Sequence, residues 1–310
     1  MKSCHNRCLR ILTLSTAKNI RNTIHDSAKM LIDAYCADNI DDARLEAELL
    51  YGYAAGIERV TVIANGLDNP KNKDLEQFEL LLDRRLNHEP LAYILGHKEF
   101  YNIDLLIGPG ALIPRPETET IVEIALKTIY EHPQFNQEVT IADVGTGSGA
   151  IAIAIGMHAP HATIFAIDKS NEALIWAKKN IDKHKLQKQI TLLHGDLLQP
   201  LNTTIDIVIA NLPYIPTDEL QSLPNEIVKH EPDLAVNGGE DGLELYRHFS
   251  KQLPQHLSKK NNSVIVEVGA GQIIFVQEIL LENMSTHENT QIQIHRDLRQ
   301  VRRVLEIRNN

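Results

Sequence analysis

The sequence predicts an α/β protein built on a doubly wound, mostly parallel sheet, preceded by a small helical domain. Three observations carry that expectation. From residue 120 onward, short apolar runs alternate with amphipathic stretches of helical period. A glycine-rich turn, Gly145-Thr146-Gly147-Ser148-Gly149, directly follows the first of those apolar runs. Ahead of them, residues 23–88 show helical periodicity and no strand signal. Strands that alternate with helices place ligands at the strand C-termini.

The elements follow in order. Residues 1–22 form an N-terminal extension that carries Lys2, Arg7, Arg10, Lys18 and Arg21, with no acid before Asp26. Such composition suits either a transit peptide or a frayed tail. Residues 23–88 form the helical domain. Leu45, Leu49 and Leu50 recur at helical spacing within Asp42–Tyr53, as do Leu75, Phe78, Leu82 and Leu86 within Lys73–Leu86. Residues 89–116 are a Gly- and Pro-bearing linker with strand-like pieces at 98–102 and 104–107, which read as a hairpin.

Residues 117–310 form the larger domain. A helix is expected at Thr120–Ile129, then a buried strand at Val139–Val144 and a helix at Ala150–His158. Further strands are expected at Thr163–Ile167, Gln189–Leu193, Ile205–Ala210 and Ser263–Val268. Helices separate them at Asn171–His184 and Leu243–Leu257, and another follows at Gly271–Glu282. Residues 211–241 read as a long loop. Gln291–His295 and Val301–Ile307 read as a closing hairpin.

Composition narrows the function. Lys plus Arg number 31 against 41 Asp plus Glu, a formal charge of −10, which disfavours a mainly electrostatic nucleic-acid binder. No apolar run reaches the ~18 residues of a membrane span. The 3 cysteines, Cys4, Cys8 and Cys36, make no disulfide framework, and the 14 histidines show no metal-ligand spacing, so no metal is expected. These features suit a protein of the cytoplasm, or of an organellar matrix if the basic N-terminus is an address.

The chemistry concentrates at two turns. Asp143-Val144-Gly145-Thr146-Gly147-Ser148-Gly149 ends the first strand of the large domain, where glycines let a ligand lie against the main chain. Asp168 ends the next strand, where a carboxylate accepts ribose hydroxyls. A nucleoside-bearing cofactor fits both features. A dinucleotide pyrophosphate wants free helix N-terminal amides and no anion nearby. Asp143 instead suits the cationic methionine end of S-adenosyl-L-methionine. Asp196 after the third strand, with Leu197 beside it, stands where the adenine would lie. The spacing D-x-G-x-G-x-G resembles the first motif of the seven-stranded, Rossmann-like class I methyltransferases.

Asn211-Leu212-Pro213-Tyr214 follows the fourth strand. This tetrapeptide suits methylation of a planar NH2 group, whose nitrogen delocalises its lone pair and is a poor nucleophile. The Asn211 side-chain oxygen and the Pro213 carbonyl can each accept one N–H, which fixes the nitrogen in line for attack and stabilises the growing charge. Proline aims its carbonyl through a fixed φ, and the Tyr214 ring can stack on a flat target. Glutamine amides, adenine N6 and cytosine N4 all present such a group. The turn alone leaves protein and nucleic-acid substrates open.

Several joined segments resemble the HemK/PrmC family, the glutamine-N5 methyltransferases of peptide chain release factors. They are Glu89-Pro90-Leu91-Ala92-Tyr93-Ile94-Leu95-Gly96, Glu99-Phe100-Tyr101, Leu112-Ile113-Pro114-Arg115-Pro116-Glu117-Thr118-Glu119, the Asp143–Gly149 loop, Asn211–Tyr214, Glu231-Pro232, Gly238–Leu243 and Arg296-Asp297-Leu298. The resemblance implies a seven-stranded class I methyltransferase sheet and an N-terminal helical domain that helps hold the substrate. It implies S-adenosyl-L-methionine as cofactor and the glutamine of a release factor's Gly-Gly-Gln as target. It also implies a pocket shaped by Arg115 and Glu117; a monomer with no membrane or direct nucleic-acid partner is expected alongside. The family usually has Asn-Pro-Pro-Tyr. Leu212 departs from it toward the Asn-Leu-Pro-Tyr of the rRNA adenine dimethyltransferases, so amino-group methylation of RNA or DNA is the alternative. The cluster Arg296, Arg299, Arg302 and Arg303 could serve that alternative, or be a solvated hairpin face.

Overall fold

The computed structural model describes residues 19–259, 261–284 and 289–309. Cys4, Cys8 and most of the basic N-terminal stretch lie outside the described residues. The chain divides between Leu95 and Gly96 into two compact units.

The first unit is helical, with helices at Ile20–Asp33, Ile40–Ala55, Arg59–Ala64, Asn72–Leu86 and Leu91–Leu95. Side-chain caps start two of them: Asn19 accepts the Asn22 amide, and Asn39 accepts those of Asp41 and Asp42. Gly56, at φ 66°, ends the second helix in the left-handed region. The buried face of Ile40–Ala55 is Ala43, Ala47, Leu50 and Tyr51, whereas Leu45 is exposed. The expectation that Leu45 belongs to the core stripe is thus corrected. Positions 43, 47, 50 and 51 share one helical face, and two alanines there leave room for close neighbours. Phe78 and Leu82 fill the same core, with Leu75 and Leu86 packed partly against it.

The second unit opens with an antiparallel hairpin, β1 (His97–Phe100) and β2 (Ile103–Leu106). A sheet of seven strands follows: β3 (Val139–Val144), β4 (Ala162–Asp168), β5 (Ile190–His194), β6 (Ile207–Asn211), β7 (Asn262–Glu267), β8 (Gln291–Arg296) and β9 (Arg302–Asn309). Their spatial order is β5-β4-β3-β6-β7-β9-β8. The first five in that order run parallel, and β9 and β8 close the edge antiparallel.

Alternation along the strands feeds two cores. Ile141, Ile164, Ile207, Ile209 and Ile265 face helices Glu119–Glu131 and Ala150–His158. Ala142, Val144, Val208, Ala210, Val264 and Val266 face helices Glu244–His256 and Ile273–Asn283. Near-continuous apolar strands are what burial on both faces requires. The stretch 211–241, expected as a plain loop, contains short helical turns at Thr217–Ser222, Asn225–His230 and Asp233–Ala235. Pro216, Pro224 and Pro232 immediately precede these turns, and proline's fixed φ favours such starts.

Candidate active site

Strand order reverses at β3, which has β4 on one side and β6 on the other. That switch point leaves a crevice at the strand C-termini. The ladder pairs Val144 with Ala210, so Gly145 and Asn211 leave the sheet side by side. A Cβ on Gly145 would stand 3.4 Å from the Asn211 carbonyl oxygen. Gly145, Gly147 and Gly149 have φ of 75°, 58° and 85°, a left-handed backbone that glycine adopts without penalty. The amides of Gly145 and Thr146 both donate to the Ile167 carbonyl at 2.9 Å, which ties the loop to β4. A cleft opens beside this loop. Gly145, Gly147, Asp168, Asp196, Leu197, Asn211, Leu212 and Pro213 are among its lining residues.

The acids of the loop divide by depth. Asp168 accepts the Gly147 and Ser170 amides, each at 2.8 Å, and burial raises its pKa. Asp168 also lines the cleft. Asp143 is fully buried beneath the loop, along with Thr146, Ser148 and Gly149. Its Oδ2 accepts the Thr146 hydroxyl at 2.6 Å and the Ala152 amide at 3.1 Å, while Oδ1 has no hydrogen-bond partner. Burial pushes its pKa up to about 6. Asp143 therefore holds the turn and carries its charge from below. Asp196 pairs with Lys169 at 3.3 Å, and Leu197 next to it adopts φ 57°.

Asn211 ends β6, and its Nδ2 donates to the Thr118 hydroxyl at 3.2 Å. The Tyr214 carbonyl accepts from Gln272 at 2.9 Å. Its ring borders an adjoining groove with Gly269 and Phe275, and burial, reinforced by Glu267, raises its phenol pKa. The Pro213 carbonyl oxygen lies against Gly238, where an added Cβ would approach to 2.8 Å. Arg115 pairs with the buried Glu231 at 2.5 Å, and Glu231 also accepts the Ile113 amide at 3.2 Å. Glu117 pairs with Arg299 at 3.6 Å. Arg115 and Glu117 thus brace segments around the cleft, and neither is among its lining residues. Of the arginine cluster, Arg296, Arg299 and Arg302 are exposed, while Arg303 turns inward to Asp297 at 3.5 Å.

Three residues here went unassigned from sequence: Thr118, Glu231 and Glu267. Glu267 had a signal, since it is a lone charge at the C-terminal end of the apolar run Val264-Ile265-Val266. It is 3% exposed, and burial pushes its pKa up to about 7.

Residues 28–96 match the PrmC N-terminal domain, and residues 120–252 match the methyltransferase small domain. The chain is 38% identical over 235 residues to a release factor glutamine methyltransferase of Geobacter sulfurreducens, covering 75% of this chain and 79% of the relative. It is 36% identical over 271 residues to a protein of the same name from Moorella thermoacetica, covering 87% and 93%. Among solved structures, it is similar to a release-factor-specific protein-(glutamine-N5) methyltransferase of Alicyclobacillus acidocaldarius. That match is 26% identical with a TM-score of 0.39, covering 66% of this chain and 98% of that one. Because the match runs through both the helical and the sheet-bearing units and spans most of each relative's length, the chain belongs to the release factor glutamine methyltransferase family.

Proposed function

We propose that this protein transfers a methyl group from S-adenosyl-L-methionine to the side-chain amide nitrogen of the glutamine in the Gly-Gly-Gln motif of a peptide chain release factor. The observation that carries the proposal is the placement of Asn211–Tyr214 at the sheet's switch point, flush against the glycine loop. The cleft suits the cofactor. Gly147 has nothing within 4 Å of an added Cβ, so its main chain is open to a ligand. Asp168 keeps acceptor capacity for ribose hydroxyls, and Asp196 with Leu197 offers an acceptor beside an apolar wall for a purine.

S-adenosyl-L-methionine supplies an electrophilic methyl on sulfur. The protein's own groups prepare the nucleophile. Asn211 Oδ1 accepts one hydrogen of the target NH2, and the main-chain carbonyl of Pro213, a residue that lines the cleft, accepts the other. Two such bonds hold the nitrogen in one orientation and draw positive charge from it as it attacks. The nitrogen becomes acidic once alkylated, so proton loss needs no strong base. Leu212 is buried to 3% exposure and contributes bulk beneath the turn, which fits a position where a second proline is replaceable.

The helical unit serves as the hold on the release factor, and the protein works as a monomer in the compartment of its substrate. Among the described residues no helix is long and apolar enough to cross a membrane. The direct test is mass spectrometry of a release factor incubated with enzyme and cofactor. The peptide holding Gly-Gly-Gln should gain one methylene mass on the glutamine. Modification elsewhere, or none, overturns the proposal.

A further inference from the structure

The last register pair of the β6–β7 ladder sets Asn211 beside Glu267, so the two side chains share one face at the C-terminal rim of the sheet. Thr118, from the turn Pro116–Thr118, closes the third side. Asn211 Nδ2 donates to Thr118 Oγ1 at 3.2 Å. Burial raises the pKa of the Glu267 carboxyl, and the neighbouring Thr118 and Asn211 side chains lower it. Thr118 and Glu267 are 5% and 3% exposed, and Glu267 Oε2 has no hydrogen-bond partner.

A carboxamide has a donor end and an acceptor end, whereas a carboxylate only accepts. Next to an ionised Glu267, the favourable face of Asn211 is its NH2. The flipped rotamer would set Oδ1 against a carboxylate oxygen in the interior and would turn the NH2 toward the incoming substrate NH2, donor against donor. We propose that Thr118 and Glu267 are positioning residues that lock the Asn211 carboxamide with Nδ2 turned inward and Oδ1 turned to the reacting amide nitrogen. The assignment rests on the methyltransferase reading above.

Burial disfavours the ionised form of Glu267 and brings its pKa to about 7, a pattern common where orientation serves chemistry. The groups that face Glu267 are few. Arg303 of β9 draws its proton off, while Glu117 of the 116–118 turn opposes ionisation. Tyr214, after β6, and Tyr246, of helix Glu244–His256, are both neighbours whose phenol pKa values are raised by burial first and by the Glu267 charge second. The Tyr246 hydroxyl also donates to the Glu267 main-chain carbonyl. With Glu267 titrating at about 7, protonation removes the penalty on the flipped rotamer.

The test compares parent, Thr118→Val, Thr118→Ser and Glu267→Gln by methyl transfer to a release factor and by the Asn211 side-chain amide signal in ¹⁵N-labelled protein. Thr118→Val and Glu267→Gln should each lower kcat by about tenfold or more, with KM changed by less than about threefold. Thr118→Ser, which keeps the hydroxyl, should restore most of the loss. Parent kcat should fall as pH drops through about 7, and the Glu267→Gln profile should lack that limb. Glu267→Gln should melt no lower than the parent near about pH 8, which a merely structural role would not give. The Asn211 amide protons should shift with pH in the parent and not in Glu267→Gln. Unchanged kcat in both Thr118→Val and Glu267→Gln overturns the proposal, as does an Asn211 signal indifferent to Glu267. A parent that methylates no release factor, yet whose Asn211 amide titrates with Glu267, sinks the substrate reading and leaves the orientation lock standing.

Discussion

In the proposed reaction, Asn211 is the residue on which the chemistry turns. Asn211→Ala should lower methyl transfer by about 10²- to 10³-fold, the usual loss for one oriented group at a charge-building centre. Cofactor affinity, measured by calorimetry, should change by less than about threefold; a comparable loss of affinity would make Asn211 a cofactor ligand instead. Asp168 should show the opposite profile. The Gly147 and Ser170 amides bond different oxygens of Asp168, so Asp168→Asn keeps an acceptor for only one of them, sets its NH2 against the other and has less acceptor capacity for ribose. It should weaken cofactor binding by about 10- to 100-fold with a smaller effect on kcat at saturation. The placement of Asn211 and Asp168 at strand ends beside the cleft was legible in sequence, because residue type and turn chemistry agreed with the strand pattern. Glu267 and Thr118 were not, since their meaning comes from the β6–β7 register and from a turn folded back across 93 positions of chain. Asp143 was legible as an acid of the loop, but its depth beneath it was not.

At the level of elements, the glycine loop is a backbone device. Gly147→Ala meets no neighbour but must adopt φ 58°, so denaturant unfolding should show a loss of about 1–2 kcal/mol. Gly149→Ala carries the same backbone cost at φ 85° and adds a 3.1 Å approach to Ile153, so its loss should be larger. Equal losses for the two would show that packing beneath the loop is slack. The central strands β3, β6 and β7 could be read from sequence to within two residues, because burial on both faces forces near-continuous apolar runs. The turns inside 211–241 could not, since each is one or two turns long and too short to show a period. Leu45 misled for a related reason: alanines at 43 and 47 carry the buried face, and small residues give a weak hydrophobic signal.

At the scale of the whole molecule, stability against pH reports which charges the fold carries at a cost. Glu267 and Asp143 titrate high, at about 7 and about 6, because burial disfavours their ionised forms. Each binds its proton more tightly folded than unfolded, so stability should decline as pH rises from the unfolded carboxylate range toward 7. Glu306 has the opposite sign. Hydrogen bonds from His295, Arg308 and Thr128 outweigh its burial and hold it at about 2, so its contribution is present above about 4.5 and fades as pH falls toward 2. Urea unfolding of parent and Glu267→Gln between about pH 5 and about pH 8 separates these effects. The variant should lose part of the decline toward neutral pH; an identical slope would mean that Glu267 is not ionising in the fold.

The central claim, a glutamine amide as methyl acceptor, is tested most directly by transfer from labelled S-adenosyl-L-methionine to a release factor. The same factor with its Gly-Gly-Gln glutamine changed to alanine is run beside it, with RNA and DNA as further acceptors. The account predicts label on the first factor and none on the second. Label on nucleic acid, with neither factor modified, would contradict it and would assign the Asn211–Tyr214 turn to a base amino group.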